Sequence, residues 1–182
     1  MIQYPEVALI DGVEYPINTD YRVALQCLAI SEDAAISDTE RSVAICVLLF
    51  GVDVPISQSA VDMAEKYLQC GRSRDEQLAN KKDMDFEQDA NYITASFMSD
   101  YKIDLSKTDM HWWQFYQLIS GLTEHAVLSK VRDIRNYNVN ELPDEKSRQK
   151  MRRAQQQVAL KKQLSPDEQR ALEEFEALFN QP

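Results

Sequence analysis

Residues 109–122 read Asp109-Met110-His111-Trp112-Trp113-Gln114-Phe115-Tyr116-Gln117-Leu118-Ile119-Ser120-Gly121-Leu122 and hold both tryptophans and the densest aromatic run of the chain. At about 100° per residue, one broad helical face carries most of the apolar side chains: His111, Trp112, Phe115, Leu118, Ile119 and Leu122. Gly121 is placed to end the helix in a left-handed conformation. Because a helix this apolar packs between other helices, the stretch predicts one central, buried helix from Asp109 to Gly121.

A second stripe on the same helix consists of Trp113, Tyr116 and Ser120. Two interpretations fit its aromatic side chains. They bury large apolar areas, which is typical of core residues. Alternatively, Trp113 and Tyr116 dock a partner protein, and we keep both as candidate partner-binding residues. For His111 we expect a hydrogen-bonded structural role and not a catalytic one.

Composition bounds the class of protein. The 182 residues are 44% hydrophobic and 27% charged, which fits one compact domain with an appendage. No run of about 18 apolar residues occurs, and residues 1–6 lack the features of a signal peptide, so we expect a cytosolic protein. The odd number and wide spacing of Cys27, Cys46 and Cys70 predict reduced core thiols.

The charge distribution separates a body from a tail. The formal net charge of −10 argues against nucleic acid or an anionic membrane as a partner. Residues 1–140 hold 12 Lys and Arg against 22 Asp and Glu, whereas residues 141–182 hold 8 of each. The acidity therefore belongs to the body. A basic run in the tail, residues 146–153, is typical of a solvated helix face.

Local signals predict a hairpin followed by helices. Asp11-Gly12 between two apolar runs favours a type I′ turn, and the free edge of this hairpin is a possible contact surface. Helix caps are predicted at four places: Thr19 or Asp20, the capping box Ser37-Asp38-Thr39-Glu40, Ser57, and Thr108 or Asp109. We therefore expect a mainly α protein, a helical bundle of about six to eight helices with a small N-terminal β-hairpin.

An acidic segment follows a polar stretch, residues 72–82, that we expect to be an exposed, mobile connection. Acidic side chains alternate along residues 83–90, as they do in the first positions of a calcium-binding loop. The sixth and twelfth positions of such a loop need Gly and Glu, but here they are Gln88 and Thr94. We therefore expect residues 83–90 to form the start of a helix, because carboxylates in the first turn complement the helix dipole. One apolar stripe then runs along the predicted helix: Phe86, Ala90, Ile93, Phe97 and Tyr101.

The C-terminal third contains two different helical patterns. The segment that precedes this third of the chain, Val127 to Arg135, is predicted to form an amphipathic helix from which Arg135 could make an inward salt bridge. Residues 143–160 have only a thin apolar stripe, whereas Ser165 to Phe179 have a full amphipathic face. We therefore divide the chain into a hairpin plus helical body, residues 1–140, and a helical arm or docking element, residues 141–182. The candidate partner-binding side chains of the arm are Leu172, Phe175, Leu178 and Phe179.

Catalytic signatures do not occur in the sequence. It has no phosphate-cradling glycine loop, no H-E-x-x-H, no G-x-S-x-G and no paired-cysteine metal motif. We expect a non-catalytic protein without cofactor or bound metal. The least favoured alternative is a hydrolase whose acid-based site is built from four carboxylates: Asp83, Asp85, Glu87 and Asp89.

A resemblance to a known family rests on aromatic and acidic positions that agree over fifty residues. They run from Met84-Asp85-Phe86-Glu87-Gln88-Asp89-Ala90 through Tyr101-Lys102-Ile103-Asp104-Leu105 and His111-Trp112-Trp113-Gln114-Phe115 to Gly121-Leu122 and Ile134-Arg135. The start, Asp11 to Arg22, fits as well. The chain resembles the bacteriophage and prophage gene product fifteen family over about residues 7 to 137, and the tail after Asn138 matches least.

This resemblance implies a tail-assembly chaperone or adaptor of a long-tailed, non-contractile phage. Such proteins are encoded near the tape-measure gene, bind the tape-measure protein and help to recruit tail-tube subunits. The implied place of action is the host cytoplasm, with no copy left in the mature virion, and self-association stays open. The alternative is a structural virion protein of the tail or head-to-tail region.

Overall fold

A computed structural model describes residues 3–72 and 82–161, together with Arg170. These residues form a two-stranded antiparallel hairpin, seven α-helices and one 3₁₀ turn, which confirms the predicted mainly α fold. The elements are β1 Val7–Ile10, β2 Val13–Pro16, α1 Tyr21–Glu32, α2 Asp38–Phe50, α3 Gln58–Leu68, α4 Ala90–Tyr101, α5 Trp112–Ser120, α6 Val127–Asn136, the 3₁₀ turn Val139–Glu141, and α7 Glu145–Val158. Within the described ranges, no helix has the length and apolarity needed to cross a membrane.

The turn of the hairpin lies at Asp11-Gly12, as predicted from the sequence. Asp11 and Gly12 have φ values of 50° and 84°, the two positive values that a type I′ turn requires. The strands pair in a simple register from Ile10 with Val13 to Val7 with Pro16. Ala8 and Ile10 are buried against the helices, so one face of the hairpin closes the core.

The first three helices begin at the predicted caps. The Asp20 carboxylate accepts the Arg22 amide, and Ser57 Oγ accepts the Ala60 amide. Ser37 and Glu40 form the complete capping box, in which each side chain accepts the other residue's amide. These caps satisfy amides that have no partner inside the helix, which is why they mark helix starts so reliably.

The central helix is shorter than predicted. It begins at Trp112 because His111 is its cap: the imidazole Nδ1 accepts the Trp113 amide at 3.0 Å. The predicted caps at Thr108 and Asp109 are therefore wrong. Gly121 does end the helix, but with φ −96° and not in a left-handed conformation. Its amide donates to the carbonyls of the preceding turn, so the chain leaves the helix without a positive φ.

The core is built around this helix, α5. Trp112 and Phe115 are fully buried. The Phe115 ring lies between Tyr21 of α1 and Phe97 of α4, with ring centroids 4.7 and 5.1 Å away. Aromatic rings stacked on both sides confirm that the helix packs between two other helices.

The acidic segment is not the start of a helix. Helix α4 begins at Ala90, and its first turn contains no acidic residue. Asp85 and Asp89 are instead buried ahead of the helix. The predicted apolar stripe is present in part: Ile93 and Phe97 are buried, but Ala90 is exposed. The first-turn interpretation fails because Asp85 accepts the amides of Glu87 and Gln88 ahead of the helix, whereas Asp89 binds the distant Arg135.

Candidate partner-binding sites

The two tryptophans of α5 hold the C-terminal end of α3. The Trp112 indole donates to the Leu68 carbonyl at 3.1 Å, and the Trp113 indole donates to the Tyr67 carbonyl at 2.9 Å. The last carbonyls of a helix have no partner in its ladder, and the Trp112 indole satisfies that of Leu68. The Tyr67 carbonyl accepts from the Cys70 amide as well as from the Trp113 indole. Trp113 is half-buried.

The second aromatic stripe is partly covered by the chain that follows α3. A Cβ atom on Gly71 would lie 3.3 Å from the Trp113 ring, and Gly71 has φ 73°. The Arg72 guanidinium lies over the Tyr116 ring, 4.1 Å from its centroid, in a cation–π arrangement. Both aromatic rings are half-buried, with contacts inside the chain. Their role in docking a partner stays a prediction.

His111 joins the N-terminal segment to the central helix. With Nδ1 accepting the Trp113 amide, the proton of the neutral ring is on Nε2, which faces the Pro5 carbonyl at 3.1 Å. The Tyr4 ring stacks on the imidazole at 4.9 Å. Both ring nitrogens are engaged with backbone groups, as predicted for a structural histidine.

The thiols of the protein are free, as predicted. Burial raises the pKa of Cys27 to about 12 and that of Cys70 to about 12, and it raises the pKa of Cys46 as well. A thiol is nucleophilic only as the thiolate, so at neutral pH these side chains behave as small apolar groups.

The acidic segment is held by a buried ion pair. Asp89 and Arg135 form a two-pronged contact, with nitrogen–oxygen distances of 2.7 and 2.8 Å. The Asp89 side chain is 1% exposed and that of Arg135 10% exposed. Arg135 also donates to the Asp83 carbonyl. The predicted inward salt bridge of Arg135 is confirmed, and it binds the start of α4 to the end of α6.

The other carboxylates of this segment have partners as well. Asp83 accepts from Arg132 at 3.1 Å and from Asn136 at 2.7 Å. Burial raises the pKa of Asp85, but hydrogen bonds from the Gln88 amide and from Lys82 outweigh it and leave that pKa below its usual value. Among residues 3–72 and 82–161, no group of three His, Cys, Asp or Glu side chains is arranged to hold a metal ion.

The first part of the C-terminal arm contacts the body. The Gln155 amide of α7 donates to the carbonyls of Ile134 and Tyr137, at 3.0 and 2.8 Å. Lys161 and Gln88 exchange two hydrogen bonds, at 2.7 and 3.1 Å. No residue of α7 is buried, in agreement with its thin apolar stripe.

Several predicted features lie outside the described residues. They are the connection over residues 73–81, the helix from Ser165 to Phe179, and the candidate partner-binding residues Leu172, Phe175, Leu178 and Phe179. The division of the chain at residue 140 likewise stays a prediction.

One exposed apolar face of the protein was not predicted from the sequence. Val7 is 52% exposed and Leu9 is 59% exposed on the outer face of β1. A signal was present, because all four residues of this strand are apolar. Successive strand residues point to opposite faces, and a two-stranded sheet lying on a core buries only one of them.

The fold and its internal contacts define a small, mainly helical protein with a core of stacked aromatic rings and a hairpin at its edge. The chain belongs to the bacteriophage Gp15 protein family, whose family model matches residues 4–160. That match confirms the resemblance and extends it into α7. Neither a curated protein nor a solved structure matches the chain.

Proposed function

We propose that this chain is a non-catalytic chaperone or adaptor in the tail assembly of a long-tailed phage or prophage. It binds the tape-measure protein and helps to recruit tail-tube subunits, and it acts in the host cytoplasm without entering the mature virion. Membership of the bacteriophage Gp15 protein family is the observation that carries the proposal.

The chemistry of the surface supports a binding role. A long helical protein exposes apolar stripes before the tail tube encloses it, and a partner can cover them. This chain offers exposed apolar side chains together with a net charge of −10, which opposes aggregation of the coated protein. Because the chaperone must be displaced later, many modest contacts suit the task better than one tight contact.

The absence of catalysis is part of the proposal. Asp83, Asp85 and Asp89 each pair with a cationic side chain of this protein, so the carboxylates that an acid-based site would need are engaged in internal contacts. The raised pKa values of the three thiols argue against a cysteine nucleophile.

Co-purification with the tape-measure protein tests the binding role. We expect the tagged full-length chain to capture co-expressed tape-measure protein, and a chain ending at Lys161 to capture less, because it lacks Leu172, Phe175, Leu178 and Phe179. Trp113→Ala and Tyr116→Ala test the second aromatic stripe. Tyr137→Ala, at an exposed tyrosine on the C-terminal side of α6, is the matched control. No capture by the full-length chain contradicts the proposal.

Mass spectrometry of purified virions tests the place of action. A chaperone is absent from the particle, or present only in traces. Stoichiometric amounts would contradict the chaperone role and identify a structural virion protein instead.

A further inference from the structure

The two edges of the hairpin differ in their backbone chemistry. The Ile17 amide donates to the Glu6 carbonyl at 2.8 Å, and the two-residue turn pairs Ile10 with Val13. Hydrogen-bonded pairs alternate along an antiparallel ladder, so Ala8 is bonded to its partner Tyr15. Val7 and Leu9 stand between these pairs and direct their N–H and C=O groups away from β2.

The edge of β2 is protected against pairing, whereas the edge of β1 is not. The outward positions of β2 are Glu14, which is charged, and Pro16, which has no N–H. Charged residues and proline are the usual means of blocking an exposed edge. The outward positions of β1 are Val7 and Leu9, and no described residue forms a backbone hydrogen bond with either of them across this edge.

The side chains beside the open edge are apolar. Val7 and Leu9 are each more than half exposed. The loop after α2 lies next to the hairpin turn, because Ser57 Oγ donates to the Asp11 carboxylate at 2.7 Å. This loop carries two more exposed apolar side chains, Val52 at 81% and Ile56 at 49%. We call the edge of β1 together with these four side chains the hairpin surface.

The segments that form the hairpin surface carry charge of one sign. Residues 6–17 and 51–57, the hairpin and the loop after α2, contain no Lys or Arg and hold four acids: Glu6, Asp11, Glu14 and Asp53. A second copy of β1 paired antiparallel to the first would bring Glu6 and Asp11 of both copies together at each end. Like charges placed so close repel each other, so the surface favours a cationic partner over a copy of itself.

We propose that the hairpin surface binds an extended segment of another protein by adding it as a third strand at the edge of β1. The segment has alternating small or β-branched apolar residues, which contact Val7 and Leu9, and Lys or Arg at its flanks, which face the acids. Main-chain hydrogen bonds to Val7 and Leu9 hold it, and side-chain alternation sets its register.

A designed peptide tests this proposal with the full chain. The probe is a fluorescently labelled peptide in which valine alternates with threonine between paired lysines, and binding is measured by anisotropy at low and high salt. We expect binding that weakens as salt rises. A peptide with glutamates in place of the lysines should not bind, and neither should one N-methylated at alternate amides, because methylation removes the strand hydrogen bonds.

Two substitutions examine the surface itself. Val7→Pro removes one outward N–H and leaves the ladder with β2 intact, so peptide affinity should fall about tenfold, the loss expected from one strand-edge hydrogen bond and its unpaired acceptor. Val7→Lys should abolish binding. Val43→Lys makes the same change at an exposed valine of α2, 37% exposed, and should leave the affinity within about twofold. Far-UV dichroism checks that each variant is folded.

Any one of three results would overturn the proposal: no binding of the lysine peptide, equal binding of the glutamate peptide, or equal effects of Val7→Lys and Val43→Lys on peptide affinity. If light scattering shows a dimer that Val7→Pro dissociates, a second copy occupies the edge and the proposal is likewise wrong. None of these results bears on capture of the tape-measure protein, so the hairpin surface and the chaperone role can fail separately.

Discussion

Helix α4 is held on its two sides by different chemistry. Toward α5 it presents Phe97, fully buried and stacked on Phe115 at 5.1 Å. Toward α6 it presents Ser96, whose buried hydroxyl accepts the Leu128 amide at 3.0 Å, and at its cap Asp89 binds Arg135. The first side is an apolar contact, and the second is a set of paired polar groups.

The two sides should respond differently to change. Apolar burial is non-directional and stabilises by roughly 25 cal/mol per Å² removed from water, so its loss scales with the volume deleted. A buried ion pair contributes little beyond its own desolvation, but removing one partner leaves an unpaired charge in the core. Large truncations therefore test the aromatic side, and isosteric changes of charge test the polar side.

The largest effect is expected on the aromatic side. Trp112→Ala removes a fully buried indole and its hydrogen bond to the Leu68 carbonyl, at a cost of about 3 to 5 kcal/mol in the free energy of unfolding. Trp113→Ala, at the half-buried neighbour, should cost less. Urea unfolding followed by far-UV dichroism measures both. A loss below about 1 kcal/mol for Trp112→Ala would contradict the central position of α5.

The polar side is tested by a change that keeps the shape. Asp89→Asn leaves Arg135 charged and without its carboxylate, at a cost of about 3 kcal/mol. Asp83→Asn is the matched control, because Arg132, the ion-pair partner of Asp83, is 41% exposed and such pairs contribute only about 0 to 1 kcal/mol. Equal losses in the free energy of unfolding, measured with urea, would show that the buried Asp89 pair matters no more to stability than the exposed one.

Replacing both charges sharpens the comparison. The double variant Asp89→Leu, Arg135→Met should be clearly more stable than Asp89→Asn, because no unpaired charge remains. A double variant as unstable as the single one would mean that Arg135 acts mainly through its other acceptors, the carbonyls of Asp83 and Val158.

Acid should weaken the acidic segment that precedes the polar side of α4. The pKa of Asp85 lies below its usual value in the folded protein, so its ionised form stabilises the fold above the unfolded pKa of about 3.9. That contribution is lost as the pH falls through the lowered, folded pKa. Urea unfolding at pH 5 and near pH 3 should therefore show a smaller pH-dependent loss for Asp85→Asn than for the unchanged chain. Asp53→Asn, at an exposed loop carboxylate, is the matched control.

The aromatic side could be predicted from the sequence, because it follows from spacing within single helices. Helical periodicity placed Trp112, Phe115 and Phe97 in the core. The hairpin and the caps of α1 to α3 were equally local, since each depends on residues at most three positions apart. Because these features depend on neighbouring residues, the sequence alone was sufficient to predict them.

For the polar side, the sequence predicted an inward salt bridge from Arg135 but not its partner. Asp89 and Arg135 lie 46 residues apart, and nothing local distinguishes a carboxylate that caps a helix from one that binds a distant guanidinium. The cap of α5 was missed for a related reason. His111 acts as a cap while its ring is held by Tyr4 and Pro5, more than a hundred residues earlier in the chain.

The smallest effect is expected where the arm meets the body. Gln155 holds α7 through hydrogen bonds to Ile134 and Tyr137, and no side chain of α7 is buried to assist it. Gln155→Ala should cost about 1 kcal/mol, and this loss should favour local opening of α7 about fivefold without unfolding the core. Gln156→Ala, at an exposed position of the same helix, is the matched control.

Limited trypsin digestion reports this opening, because α7 is rich in Lys and Arg, and its rate follows the population of the open state when closing is fast. We expect faster cleavage within residues 145–158 for Gln155→Ala and an unchanged rate for Gln156→Ala. The global unfolding transition of both variants should stay close to that of the unchanged chain. If Gln155→Ala shifts the global transition as far as Asp89→Asn does, α7 unfolds together with the core, and the arm is as firmly held as the two sides of α4.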